Sequence, residues 1–164
     1  MTEITLKGNP IHTAGELPEV GTTVADYEFT NTGLEDVYLS DFSGTKILNI
    51  FPSLDTGICA ASVRAFNEKA GGLDGVTVLN ISEDLPFAHS RFCASEGIED
   101  VVDLSTFRTD FPEDFGVVIT DGPMSGLCSR AVVVLDDDNK VLYREQVPEI
   151  AQEPDYEAAL DAVS

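Results

Sequence analysis

The hydrophobic pattern is clearest midway along the chain. Thr45-Lys46-Ile47-Leu48-Asn49-Ile50-Phe51 is a compact apolar run with a β-branched start, and after a short loop the apolar positions Cys59, Val63, Phe66 and Ala70 recur at +4, +3, +4. The run predicts a buried strand. The spacing predicts one apolar stripe of a helix, ended by Gly71-Gly72. Upstream, Glu3–Lys7 and Pro10–Thr13 alternate about Gly8-Asn9 and predict an N-terminal β-hairpin. Residues 15–25 read as a loop, Asp26–Thr30 and Val37–Leu39 as short strands, and Ser40–Gly44 as a turn of helix. Downstream, Gly75–Ser82 is a second buried strand, and Asp84 is the expected N-cap of a helix that runs to about Ser95 and stops at Gly97. Then follow a strand at Val101–Leu104, a short helix at Asp110–Phe115, a strand at Gly116–Thr120, a central strand at Ala131–Leu135 and its hairpin partner at Val141–Val147. Glu153–Val163 closes the chain as a helix with Tyr156, Ala159, Leu160 and Val163 on one face. This order predicts an α/β protein, a mixed sheet with helices on both faces. The 164 residues are expected to form one domain over 1–164.

Charge narrows the function. Thirty acidic residues against nine basic give a net charge of −21, which disfavours nucleic acid and anionic membranes as partners. No run approaches the ~18 apolar residues of a membrane span. The start, Met1-Thr2-Glu3-Ile4, has neither a basic nor an apolar signal region, so a cytoplasmic location is the expectation. Three cysteines, Cys59, Cys93 and Cys128, are an odd count that argues against a disulfide scaffold. They and the two histidines, His12 and His89, have no metal-ligand spacing, so neither metal nor cofactor is expected. His12 on a strand and His89 on a helix read as surface or packing residues.

Cys59 falls in the first turn of its helix, where unpaired N–H groups and the helix dipole favour a thiolate. Pro52, Thr56 and Cys59 form the pattern P-x-x-x-T-x-x-C, which closely resembles the peroxidatic motif of the peroxiredoxins. The longer string Asn49–Arg64 resembles the thiol peroxidase subfamily, of the atypical two-cysteine type. Two further segments carry the same resemblance. Gly122–Val134 is similar to the segment holding that family's active-site arginine, here Arg130, and Asp84–Cys93 is similar to the one holding its resolving cysteine, here Cys93. The likeness runs nearly end to end, through Glu153–Leu160.

The resemblance implies a thioredoxin-like fold and a thiol-dependent peroxidase acting on hydrogen peroxide and alkyl hydroperoxides. By it, Cys59 attacks the O–O bond, Arg130 stabilises the thiolate and the transition state, and Pro52 shields the sulfenic acid. Cys93 resolves that acid as an intramolecular disulfide, which thioredoxin reduces. Thr56 can serve as a helix cap, a peroxide partner, or both. Family members are homodimers, so a homodimer is expected. Ionisation alone is a weak lever: lowering a thiol pKa from ~8.5 to ~6 raises the thiolate fraction about 30-fold at pH 7 but costs about 10-fold in nucleophilicity. The larger effect must come from donors that hold both peroxide oxygens.

Cys128 departs from the family pattern, where a small residue such as Ala or Thr is expected, and reads as a small strand hydrophobe. Two other classes fit a reactive Cys59. One is a redox sensor or binding module switched by a Cys59–Cys93 disulfide. The other is a thioredoxin-like disulfide oxidoreductase, against which the absence of C-x-x-C argues.

Overall fold

The computed structural model describes residues 2–70, 73–98 and 101–163. A two-stranded hairpin, β1 (Thr2–Leu6) and β2 (Asn9–Thr13), stands apart from a seven-stranded sheet. The sheet is built from β3 (Glu28–Asn31), β4 (Asp36–Tyr38), β5 (Thr45–Ile50), β6 (Val76–Ser82), β7 (Val102–Ser105), β8 (Ala131–Leu135) and β9 (Val141–Gln146). Their spatial order is β4-β3-β7-β6-β5-β8-β9. The three inner strands β7, β6 and β5 are parallel, and each flank is antiparallel. The helices are α1 (Gly57–Ala70), α2 (Pro86–Glu96), α3 (Phe111–Asp114) and α4 (Tyr156–Asp161).

The period-two alternation of β5 shows how the layers form. Ile47 faces Phe66 and Ala70 of α1 and Ala159 of α4, whereas Leu48 and Ile50 face the cluster that holds Phe111 and Phe115. Helices therefore cover both faces, and β8, buried along its whole length, is the central strand that its Ala-Val-Val-Val-Leu run predicts. This is the mixed sheet of a thioredoxin-like fold.

Several details differ from the sequence reading. The hairpin turns at Lys7-Gly8, with Leu6 opposite Asn9, because both turn residues adopt positive φ (52° and 83°) as a tight two-residue turn requires. Leu85, not Asp84, caps α2, and the Asp84 carboxylate bonds elsewhere. Asp26 precedes β3, and Gly116–Thr120 makes only single bridges, Val118 to Cys128 and Ile119 to Thr13. The last helix is shorter than expected, because Asp155 caps it by accepting from Ala158 N–H. The helix stop assigned to Gly71-Gly72 lies outside the described residues. Gly97 ends α2 in the left-handed conformation, as expected.

The hairpin is bound to the chain that follows β9. Thr5 N–H donates to Pro148 C=O and Ile150 N–H to Thr5 C=O, both at 2.8 Å. The Glu149 carboxylate accepts from Gly8 N–H (2.8 Å), Thr5 Oγ1 (2.9 Å) and Ala151 N–H (2.7 Å). The Ala151 and Gly8 amides hold it down to about 2. A carboxylate depressed on folding contributes stability above its unfolded pKa of ~4.3 and loses it as pH falls toward 2. Glu149→Gln is expected to weaken the fold at pH 7 and to flatten its acid-unfolding dependence between about pH 5 and 2, read by far-ultraviolet circular dichroism.

Candidate active site

The loop between β5 and α1 places Cys59 as the third residue of α1. Thr56 precedes the helix, and its hydroxyl accepts from Cys59 N–H (3.4 Å) while donating to Ser53 C=O (3.1 Å). It thus acts as the cap, with one acceptor position unused. Arg130 arrives just before β8 and is 2% exposed. Its Nε donates to Ile150 C=O at 2.8 Å and its Nη2 to Cys59 Sγ at 3.2 Å. Nη1 is buried and has no hydrogen-bond partner among the described residues. A buried charged donor left in that state costs at least ~1–3 kcal/mol, so an acceptor at that point is strongly favoured.

Thr56, Pro52 and Arg130 line one cleft of about 630 Å³. Its walls are mostly apolar: Leu6 and Ile11 from the hairpin, Ile58 from α1, Met124, and Ile150 from the segment after β9. Pro52 is buried and Cys59 wholly so. The arrangement is a sulfur at a helix start with a guanidinium against it, a hydroxyl one turn away and an apolar wall around them.

Cys93 belongs to the same apolar cluster as Cys59, with Phe51, Leu54, Val63, Phe92 and Ile98, and both thiols are free. The Cys93 thiol, however, donates to Asp103 Oδ2 at 2.6 Å. Burial, followed by that hydrogen bond and the carboxylate's charge, pushes it up. Cys128 is fully buried in the main core beside Val117 and Ala131, and burial pushes it up too. Its reading as a small hydrophobe holds, although it precedes β8 and only bridges to Val118.

Sequence reasoning missed Asp84. Its carboxylate accepts from Leu54 N–H (2.8 Å), Ser53 Oγ (2.8 Å) and Ser82 Oγ (2.7 Å), and so clamps the loop before Cys59. The local signal, an acid just before Pro86, was that of an N-cap. The spacing of about thirty residues to Ser53 and Leu54 (31 and 30) gave no hint of the real partners. His89 is fully buried against Ser82 and Asp103, which excludes the surface reading and leaves packing with polar partners. His12 is a partly exposed partner of Asp121 on β2. Among the described residues no His, Cys, Asp and Glu cluster has the form of a metal site, and no helix is long and apolar enough to cross a membrane.

Comparison with known proteins agrees with this geometry. A family model described as Redoxin matches residues 18–160. A thiol peroxidase of Corynebacterium glutamicum is 52% identical over 100% of both chains, and one of Mycobacterium tuberculosis is 54% identical over 99% of both. The solved structure of a peroxiredoxin-like protein from Aquifex aeolicus superposes with a TM-score of 0.94 at 35% identity, covering 99% of this chain and 96% of that one. The chain belongs to the redoxin family and, within it, to the thiol peroxidase branch of the peroxiredoxins.

The Asp84 clamp leads to a test. Asp84→Ala frees the Leu54 amide and two hydroxyls from a charged acceptor, each such bond being worth about 1.5–3 kcal/mol. The variant is expected to lose about 2–4 kcal/mol in urea unfolding and to react with peroxide at least tenfold more slowly, because the loop no longer holds Thr56 and Cys59 in register.

Proposed function

We propose that this chain, a thiol-dependent peroxidase by its family membership, reduces hydrogen peroxide and alkyl hydroperoxides with Cys59 as the attacking thiol. The observation that carries this reading is the Arg130 guanidinium, which donates to Cys59 Sγ from Nη2 and keeps Nη1 unpaired. A peroxide oxygen seated between Sγ and Nη1 supplies the missing acceptor. Its O–H can donate to the unused lone pair of Thr56 Oγ1. The sulfur pair attacks the nearer oxygen, the O–O bond breaks, and the farther oxygen leaves as alkoxide or hydroxide. That charge develops beside fixed donors, which is where such stabilisation is most effective. The departing oxygen takes up a proton to become an alcohol or water, and Cys59 is left as a sulfenic acid.

Cys93 then completes the cycle. Its sulfur bonds to Cys59 Sγ, the S–O bond breaks, and the sulfenic hydroxyl leaves with the thiol proton as water. Cys93 sits on α2 with its thiol turned to Asp103, so pairing requires α2 to shift. Thioredoxin, a dithiol reductant, returns both thiols and is itself oxidised to a disulfide. The apolar cleft walls favour hydroperoxides with a hydrocarbon body over hydrogen peroxide. The same reading takes one domain over 1–164, the cytoplasm and a homodimer as the setting. The alternative, a redox sensor switched by the same disulfide, predicts fast oxidation but slow turnover with any reductant.

Peroxide consumption with thioredoxin tests both readings. Cys59→Ser is expected to abolish it, and equal rates for variant and wild type would overturn the proposal. Arg130→Lys keeps the charge but loses the two-point geometry and is expected to cost about 10²–10³ in kcat/KM, the effect of removing one preorganised donor. Under peroxide, Cys93→Ser is expected to accumulate Cys59 sulfenic and sulfinic acid by mass spectrometry. A persisting disulfide through Cys128 would overturn the assignment of Cys93.

A further inference from the structure

The two thiols near the loop have partners of opposite charge. Cys59 faces the Arg130 guanidinium, and Cys93 faces the Asp103 carboxylate. Asp103 is not an isolated acid. It ends a polar row that crosses the sheet in register, Asn49 on β5 opposite Asn80 on β6, and Asn80 opposite Asp103 on β7. Asn49 Nδ2 donates to Asn80 Oδ1 at 3.1 Å, and Asn80 Nδ2 donates to Asp103 Oδ1 at 3.3 Å. The same Oδ1 faces His89 Nδ1 at 3.4 Å, and both residues are buried.

Donors and acceptors in this network assign its protons. Asp84 takes the Leu54 amide, the Ser53 hydroxyl and the Ser82 hydroxyl. Ser82 has a single proton, so His89 Nε2, 3.0 Å from Ser82 Oγ, must be the donor of that pair. Asp103 Oδ1 is engaged by Asn80 Nδ2 and faces His89 Nδ1. Asp103 Oδ2 is left as an acceptor, turned to the Cys93 thiol. The other charges near Cys93 are outward: Arg64 of α1 lies over the Phe92 ring and pairs with Glu96.

We infer that Asp103, backed by His89, holds Cys93 in its neutral thiol form in the reduced protein, so that Cys59 alone meets the peroxide. Cys93 becomes a nucleophile only when α2 shifts and carries its sulfur off the carboxylate. The meaning of this device for turnover rests on Cys93 being the resolving thiol, but its chemistry does not. Asp103 and His89 are positioning residues: they set the protonation and direction of one sulfur without touching the peroxide. The network also ties Cys93 to the loop before Cys59, through His89, Ser82 and Asp84, so displacement of that loop loosens the same hydrogen bonds.

Iodoacetamide alkylation of the fully reduced chain, followed cysteine by cysteine by mass spectrometry from pH 6 to 10, tests this directly, since only a thiolate displaces iodide. Asp103→Asn is expected to lower the pH midpoint of Cys93 alkylation by at least one unit and to speed it at least tenfold at pH 8, with Cys59 unchanged. Asp103→Glu is expected to stay within about threefold of wild type. A uniform rise at every pH with an unmoved midpoint is mere loosening and overturns the inference, as does no change. If Asp103→Asn does not fold by circular dichroism, Asp103→Ser decides in its place: a lowered Cys93 midpoint supports the inference, and an unmoved one, or a wild-type midpoint at or below the ordinary thiol value of ~8.5, overturns it. Absence of a Cys59–Cys93 disulfide in peroxide-treated wild type would instead sink the resolving role and leave the alkylation result standing.

Discussion

A guanidinium buried against a sulfur is the constraint around which this molecule is arranged. Arg130 is too large and too polar to sit at the edge of a core unaided. Three parts of the chain make it tolerable. The start of β8 brings it to the sheet end, the Ile150 carbonyl fixes its Nε, and Cys59 takes its Nη2. Ile150 is itself held by the hairpin through Thr5 and by the Glu149 carboxylate. The N-terminal hairpin is therefore more than an appendage. It forms a wall of the cleft and also steadies the carbonyl that aims the arginine.

The helix start and the arginine act on different stages of the chemistry. The Thr56 cap and the α1 amides set where the sulfur sits, and the loop clamp at Asp84 keeps that placement from drifting. The arginine supplies directed donors for charge that appears only as the O–O bond opens. Effective catalysis of this kind depends on geometry held before reaction rather than assembled during it. That explains why so much of the buried polar chemistry in the structure lies beneath one loop.

Much of this was legible in the chain itself. The Thr45–Phe51 run, the stripe from Cys59 to Ala70 and the Ala131–Leu135 run are local patterns, and they appear as β5, α1 and β8. The spacing from Pro52 to Cys59 is local too, and all of its members lie at the cleft or its base. What sequence could not show was register. Asn49, Asn80 and Asp103 are separated by 31 and 23 residues, and only the alignment of three parallel strands makes them neighbours. Asp84 was misread for a related reason: its local surroundings fit a helix cap, while its real donors come from another loop. For His89 the sequence left surface and packing both open, because its burial depends on what β6 and β7 present to it.

The burial of two cations changes how the rest of the surface behaves. Among the described residues Lys46 and Arg130 are inside and Asp103 is the one buried acid, so burial withdraws two of the nine basic side chains but only one acid from solvent. The outward field is thus even more anionic than the formal balance of −21 suggests. Such self-repulsion is felt over a Debye length of about 10 Å at 0.1 M salt. Ionic strength therefore becomes a structural variable for this molecule: dilute buffer strains the folded state and holds acidic macromolecules at a distance, and added electrolyte relaxes both.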